Sequence, residues 1–147
     1  MANKGEIAEN YFRNGLNCAQ AVLAAFEEET GLSHETALAV SSSFGGGMGR
    51  LREVCGAVSG MFMVAGLLYG NKLSKMEHYA LIQELAAEFK EENGSIVCRE
   101  LLGVGGAQVP IPEKRTEEYY KKRPCAELVH IAADIMDRKI AEMNKNV

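Results

Sequence analysis

The amino-acid sequence predicts an all-α fold, a single-domain helical bundle of six to seven helices spanning residues 1–147. Three observations carry that expectation. Apolar residues recur at three- and four-residue spacing in several long segments. No stretch shows the β-branched alternation between turn signals that marks a strand. A chain of 147 residues, 47% hydrophobic and 24% charged, has the composition of one ordinary globular core.

A first helix is expected over about Glu6–Arg13, stopped by Asn14 and Gly15. Asn17 can cap a second over about 18–29, in which Ala21, Val22, Ala25 and Phe26 share a face before Gly31. Ser33 opens a third that ends near Ser43. The run Gly45-Gly46-Gly47-Met48-Gly49 has too little side chain for a regular element, so a tight loop should deliver the chain into a long apolar helix from about Leu51 to Tyr69. Ser74 and Glu77 form a capping-box pattern for a helix to about Glu92, with Asn93 and Gly94 ending it. Ser95 can cap a short helix holding Cys98 and Leu101, which stops at Gly103 before a loop with Pro110 and Pro112. After Pro124, the spacing of Leu128, Val129, Ala132, Ile135, Met136, Ile140 and Met143 predicts a final long helix.

Composition excludes several classes of function. The 16 basic and 20 acidic side chains give a net charge of −4 and are mixed along the chain, which leaves no footprint for nucleic acid. The basic stretch Lys114–Arg123 is interrupted by Glu117 and Glu118 and reads as a solvated face. The uncharged run Val54–Asn71 is shorter than the roughly 20 residues of a membrane span. No apolar signal core or twin-arginine pair opens the chain, so the cytoplasm is the expected compartment. The glycine run at 45–49 lacks the Gly-Lys-Ser/Thr of a phosphate loop, so no nucleotide is expected. His34, His78 and His130 are isolated and are not assigned to a site.

The chemistry-bearing residues are four cysteines, Cys18, Cys55, Cys98 and Cys125. Each falls in or near the start of a different predicted helix, where free N–H groups and the helix dipole favour a thiolate. Arg50 and Arg52 lie close to Cys55 in sequence and make it the expected attacking thiolate if the chemistry is thiol-based. In a reducing compartment the four should be free thiols, transient redox pairs or metal ligands. Packing as small core residues is the plain alternative. Gly56 and Gly60, four apart beside Ala57, leave a smooth face for close helix packing or for a cofactor. That face could also receive a second copy, and a homodimer is the expected assembly because symmetric dimers are commonest.

The hexapeptide Cys55-Gly56-Ala57-Val58-Ser59-Gly60, preceded by Cys18 within Asn17-Cys18-Ala19-Gln20-Ala21 and followed by Cys98 and Cys125, resembles the redox-active protein family named for its C_GCAxxG_C_C pattern. The resemblance covers nearly the whole chain and implies a redox or metal-associated role, because a related region of a split-Soret cytochrome holds an iron–sulfur cluster. It points to Cys18, Cys55, Cys98 and Cys125 as thiolate ligands of an iron–sulfur cluster, with zinc second, serving electron transfer to an unidentified redox partner protein. No Cys-x-x-Cys-His haem site is present. The alternatives are a metal-free thiol–disulfide protein, with Cys55 attacking and another cysteine resolving, and a regulatory or structural protein whose cysteines only pack.

Overall fold

The computed structural model describes residues 3–145 as nine helices, with no β-strand among them beyond one isolated antiparallel bridge, Val54 to Val97. In chain order these are α1 Lys4–Arg13, α2 Cys18–Ala24, α3 Glu27–Thr30, α4 His34–Ser41, α5 Gly56–Tyr69, α6 Lys75–Asn93, α7 Cys98–Leu102, α8 Glu117–Lys122 and α9 Cys125–Lys145. Between α4 and α5 lie a 3-10 turn, Ser42–Phe44, and a glycine turn, Gly45–Met48, in which Gly46 and Gly47 are left-handed at φ 68° and 67°. The all-α, single-core architecture is the one the periodicity predicts.

The helix starts follow the capping residues. Asn17 accepts from the Gln20 N–H at 2.9 Å while the Gln20 side chain accepts from the Asn17 N–H at 3.0 Å. The Ser74–Glu77 box closes the same way, and Ser33 caps α4. The differences from expectation are local. The second helix breaks at Ala25–Phe26, where Phe26 leaves helical geometry and buries its ring completely. The long apolar helix begins at Gly56 and not at Leu51, because Arg50 and Arg52 are left-handed and Glu53 and Cys55 pair with Cys98 and Ile96. Ser95 caps no helix: its hydroxyl accepts from the Val97 N–H and donates to Glu100, and α7 starts at Cys98. The stretch read as a solvated face contains α8, capped by Thr116.

One core joins these elements. Phe12 of α1, Leu23 of α2, Met61 of α5, Leu85 and Phe89 of α6, and Ile135 and Met136 of α9 are all almost completely buried. Complete burial of side chains of this size removes about 1.5–3 kcal/mol each from the cost of folding. α1 lies along α9, and α5 packs against both α2 and α9. No described helix is long and apolar enough to cross a membrane.

The contact between α2 and α5 is set by glycine. A Cβ at Gly60 would lie 2.8 Å from the Ala19 carbonyl oxygen and 3.0 Å from Val22 Cβ; one at Gly56 would lie 2.9 Å from the Phe44 carbonyl and 3.1 Å from Cys18 Cβ. At Gly56 and Gly60 the small-residue face therefore serves close packing within the chain. Gly60→Ala should lower stability by about 1–3 kcal/mol, as overpacking against backbone does. Gly66→Ala, with nothing within 4 Å of its Cβ, should raise it by about 0.5–1 kcal/mol. Urea denaturation midpoints check both, and equal destabilisation by the two changes would exclude this packing account.

Candidate redox site

All four cysteines line one cavity of about 340 Å³. Cys18 and Cys125 are the first residues of α2 and α9, Cys98 is the first residue of α7, and Cys55 immediately precedes α5. Cys18, Cys55 and Cys98 are buried and Cys125 is partly exposed; all are free thiols. The helix-start placement predicted for each is thus observed, and the fold brings the four together.

Two of them are joined by backbone pairing. The Cys55 N–H donates to the Ile96 carbonyl at 2.8 Å and the Cys98 N–H to the Glu53 carbonyl at 2.5 Å, on either side of the Val54–Val97 bridge. Gly47 fits beneath this pairing: a Cβ there would lie 2.6 Å from Cys98 Cβ and 2.9 Å from Arg52 Cα. The loop that carries Gly47 is left-handed at three residues that are not glycine, Met48, Arg50 and Arg52, with φ 65°, 66° and 60°. Such conformations cost about 1–2 kcal/mol each and persist only where surrounding bonds fix them. Here the Arg52 N–H donates to Gly46, Arg99 N–H to Arg52, and Gln108 N–H to Arg50.

That backbone aims Arg52 inward. Its side chain is buried at 4% exposure; Nε donates to Gln108 Oε1 at 2.9 Å and Nη1 to Cys98 Sγ at 3.5 Å. Arg50 donates to the same Gln108 oxygen at 3.3 Å and to the Val109 carbonyl at 2.7 Å. Arg115 is spent on the Phe12 and Leu16 carbonyls and on the face of the Phe12 ring. Arg123 pairs with Glu113.

The thiols differ in their ionisation. Cys125 is lowered to about 7, first by the hydrogen bond from the Cys18 thiol and then, against the effect of burial, by Arg123, Arg52 and the Tyr119 hydroxyl. Cys18 is raised, because its proton is held in that bond and its site is buried. The two titrate as a pair, so the first proton lost leaves the charge on Cys125. Burial pushes Cys55 up to about 12 despite hydrogen bonds from the Ala57 and Val58 N–H groups. Burial also raises Cys98, in part offset by Arg52.

The arginines expected to ionise Cys55 are therefore turned elsewhere: Arg52 meets Cys98 and the most acidic thiol is Cys125. Arg115, Tyr119 and Arg123 line the cavity as well, and Gln108, outside its lining, accepts from Arg50 and Arg52. Arg123, two residues before Cys125, is the one that proximity in sequence could have flagged. The histidines stay outside the site. His34 pairs with Glu27, His130 bridges Glu9 and Asp134, and His78 is partly buried on α6. Among the described residues no three His, Cys, Asp or Glu side chains are grouped so as to hold a metal ion.

Thiol modification reads this ranking directly. Since the thiolate is the attacking form, the rate of alkylation by iodoacetamide should rise with pH to a plateau, with an inflection near 7. Cys125→Ser should remove that phase. Its loss from Cys55→Ser instead would place the acidic thiol at residue 55. The depressed Cys125 value also links to folding: ionisation stabilises the fold above the unfolded thiol value of about 8.5, and this contribution disappears as pH falls through about 7.

Residues 16–139 match a family model described as Putative redox-active protein (C_GCAxxG_C_C). The match includes all four cysteines. No curated protein and no solved structure gives a significant match.

Proposed function

Because the chain belongs to the C_GCAxxG_C_C redox-active protein family, we propose that its working centre is the four-cysteine cavity and that the Cys18–Cys125 pair performs thiol–disulfide exchange. The observation that carries this reading is the meeting of Cys18 and Cys125 in one cavity, the one buried and the other partly exposed, with Cys125 lowered to about 7 and Cys18 raised beside it. That is the division of labour a dithiol needs: an attacking thiolate and a resolving thiol.

The Cys125 thiolate attacks one sulfur of a disulfide substrate, forms a new S–S bond and expels the other substrate sulfur as a thiolate. Arg123 and Arg52 hold the charge on Cys125 until attack. Once that charge is consumed, the Cys125 thiolate no longer holds the Cys18 proton, and that proton passes to the departing thiolate. Cys18 sulfur then attacks Cys125 sulfur, the mixed disulfide breaks, and the second substrate thiolate leaves. Two electrons have moved from the pair to the substrate, and a reducing thiol restores the dithiol. Cys55, deep and protonated, lines the wall in this reading.

A second reading, the iron–sulfur site, is favoured by a separate observation: four soft donors from four helix starts face one cavity, and Cys55 sulfur accepts two backbone N–H bonds of the kind that tune cluster ligands. Cys18, Cys55, Cys98 and Cys125 would then hold the cluster, which supplies one-electron transfer. Zinc fits less well, since its four ligands must crowd within about 2.3 Å of one ion, and no three such side chains are so grouped among the described residues.

One preparation separates the readings. The protein purified without oxygen should carry no stoichiometric iron, zinc or acid-labile sulfide. Mild oxidation should consume two thiols per chain, and peptide mapping should join Cys18 to Cys125. Iron with sulfide and visible absorption bands that disappear on cysteine substitution would replace the dithiol by the cluster.

A further inference from the structure

The charge inside the cavity does not balance. Arg52 is buried, yet no carboxylate lies within ion-pairing distance of it among the described residues, and its nitrogens meet only a neutral amide oxygen and the Cys98 thiol. Arg50 shares that same oxygen. Glu113, the one carboxylate among the described lining residues, is taken by Arg123. A buried guanidinium without a countercharge is costly, and one thiolate does not offset Arg50 and Arg52 together. The free space is on the order of ten water volumes at about 30 Å³ each, enough for a small molecule and too little for a folded segment. The glycines at 45, 46, 47 and 49 keep it clear of side chains beside Arg52.

We propose that the cavity binds a small carboxylate or oxyanion against the Arg52 guanidinium, next to Cys125, so that the substrates of the thiol pair are small acid-bearing molecules. This rests on the reading of Cys125 as the reactive sulfur and adds the class of molecule it acts on. Arg52 and Arg50 supply the charge, Gln108 fixes both guanidiniums in place, and the positive cavity concentrates the anion where the thiolate can reach it.

Iodoacetate and iodoacetamide test it, because they share size and leaving group and differ only in carrying a carboxylate or a neutral amide. With the reduced full chain, iodoacetate should alkylate Cys125 at least about tenfold faster than iodoacetamide, the scale of gain expected from a focusing cleft. Its rate should saturate with concentration, and inorganic phosphate should inhibit it while leaving iodoacetamide unaffected. Arg52→Gln should bring the ratio close to that measured with free cysteine, with Arg52→Lys retaining part of the gain. If Arg52→Gln does not fold, Arg50→Gln, which should lower the ratio in part, and phosphate inhibition of the parent protein test the same site. Rapid alkylation by both reagents, without saturation or phosphate inhibition, overturns the anion site and leaves the dithiol standing. If neither reagent modifies Cys125 faster than free cysteine, the dithiol reading fails. Calorimetric titration with phosphate then decides the site alone: stoichiometric binding lost in Arg52→Gln supports it, and absence of binding overturns it.

Discussion

A side-chain carbon at residue 60 would come within 2.8 Å of the Ala19 carbonyl, and most of the site follows from there being none. With glycine at 56 and 60, α5 approaches α2 until backbone nearly meets backbone, a distance that ordinary helix packing at 8–10 Å between axes does not permit with larger side chains. Cys18, at the start of α2, is thereby set over the start of α5, where Cys55 sits. α9 crosses both helices and brings Cys125 to Cys18. Without that approach the two helix starts would be separated by a layer of side chains, and the thiols with them.

The second constraint is electrostatic. Several sulfurs in one poorly solvated cavity cannot all carry charge, since each thiolate raises its neighbours; Cys125 contributes to raising Cys18, Cys55 and Cys98 alike. The hydrogen bond from Cys18, with Arg123 and Arg52 behind it, decides which sulfur ionises first. Arg52 reaches its place through a left-handed backbone that costs energy at Met48, Arg50 and Arg52, and that cost is met by the pairing of residues 53–55 with 96–98 and by the Gln108 contacts. Strain in the loop and the ionisation of Cys125 are thus two sides of one arrangement.

Much of the scaffold was legible because its signals are local. Asn17, Ser33, Ser74 and Glu77 cap where their side chains can reach backbone N–H groups three residues on, and the apolar period of α9 needs no knowledge of its neighbours. The cysteines themselves, and their helix-start positions, were also readable. What escaped depends on tertiary contact. Nothing in the residues of Met48, Arg50 or Arg52 announces a left-handed conformation, so the long helix was begun at Leu51. Arg123 looked like part of a solvated face because the loop through Glu113 that covers it has no local periodicity. Proximity in sequence assigned Arg52 to Cys55, whereas the backbone turn at Gly46–Gly47 delivers it to Cys98, 46 positions away.

The same charge balance couples the two proposals. In the dithiol state the Cys125 thiolate offsets part of the positive charge of Arg52 and Arg123. Joining Cys125 to Cys18 removes that thiolate and leaves the arginines with less compensation, so the oxidised cavity holds an anion more tightly than the reduced one. Reciprocity of linked equilibria then requires the anion to favour the disulfide. An acid-bearing disulfide drawn in by the arginines would accordingly assist its own reduction, because the acidic product that remains in the cavity stabilises the oxidised pair, and release would follow when a reducing thiol restores the charge on Cys125.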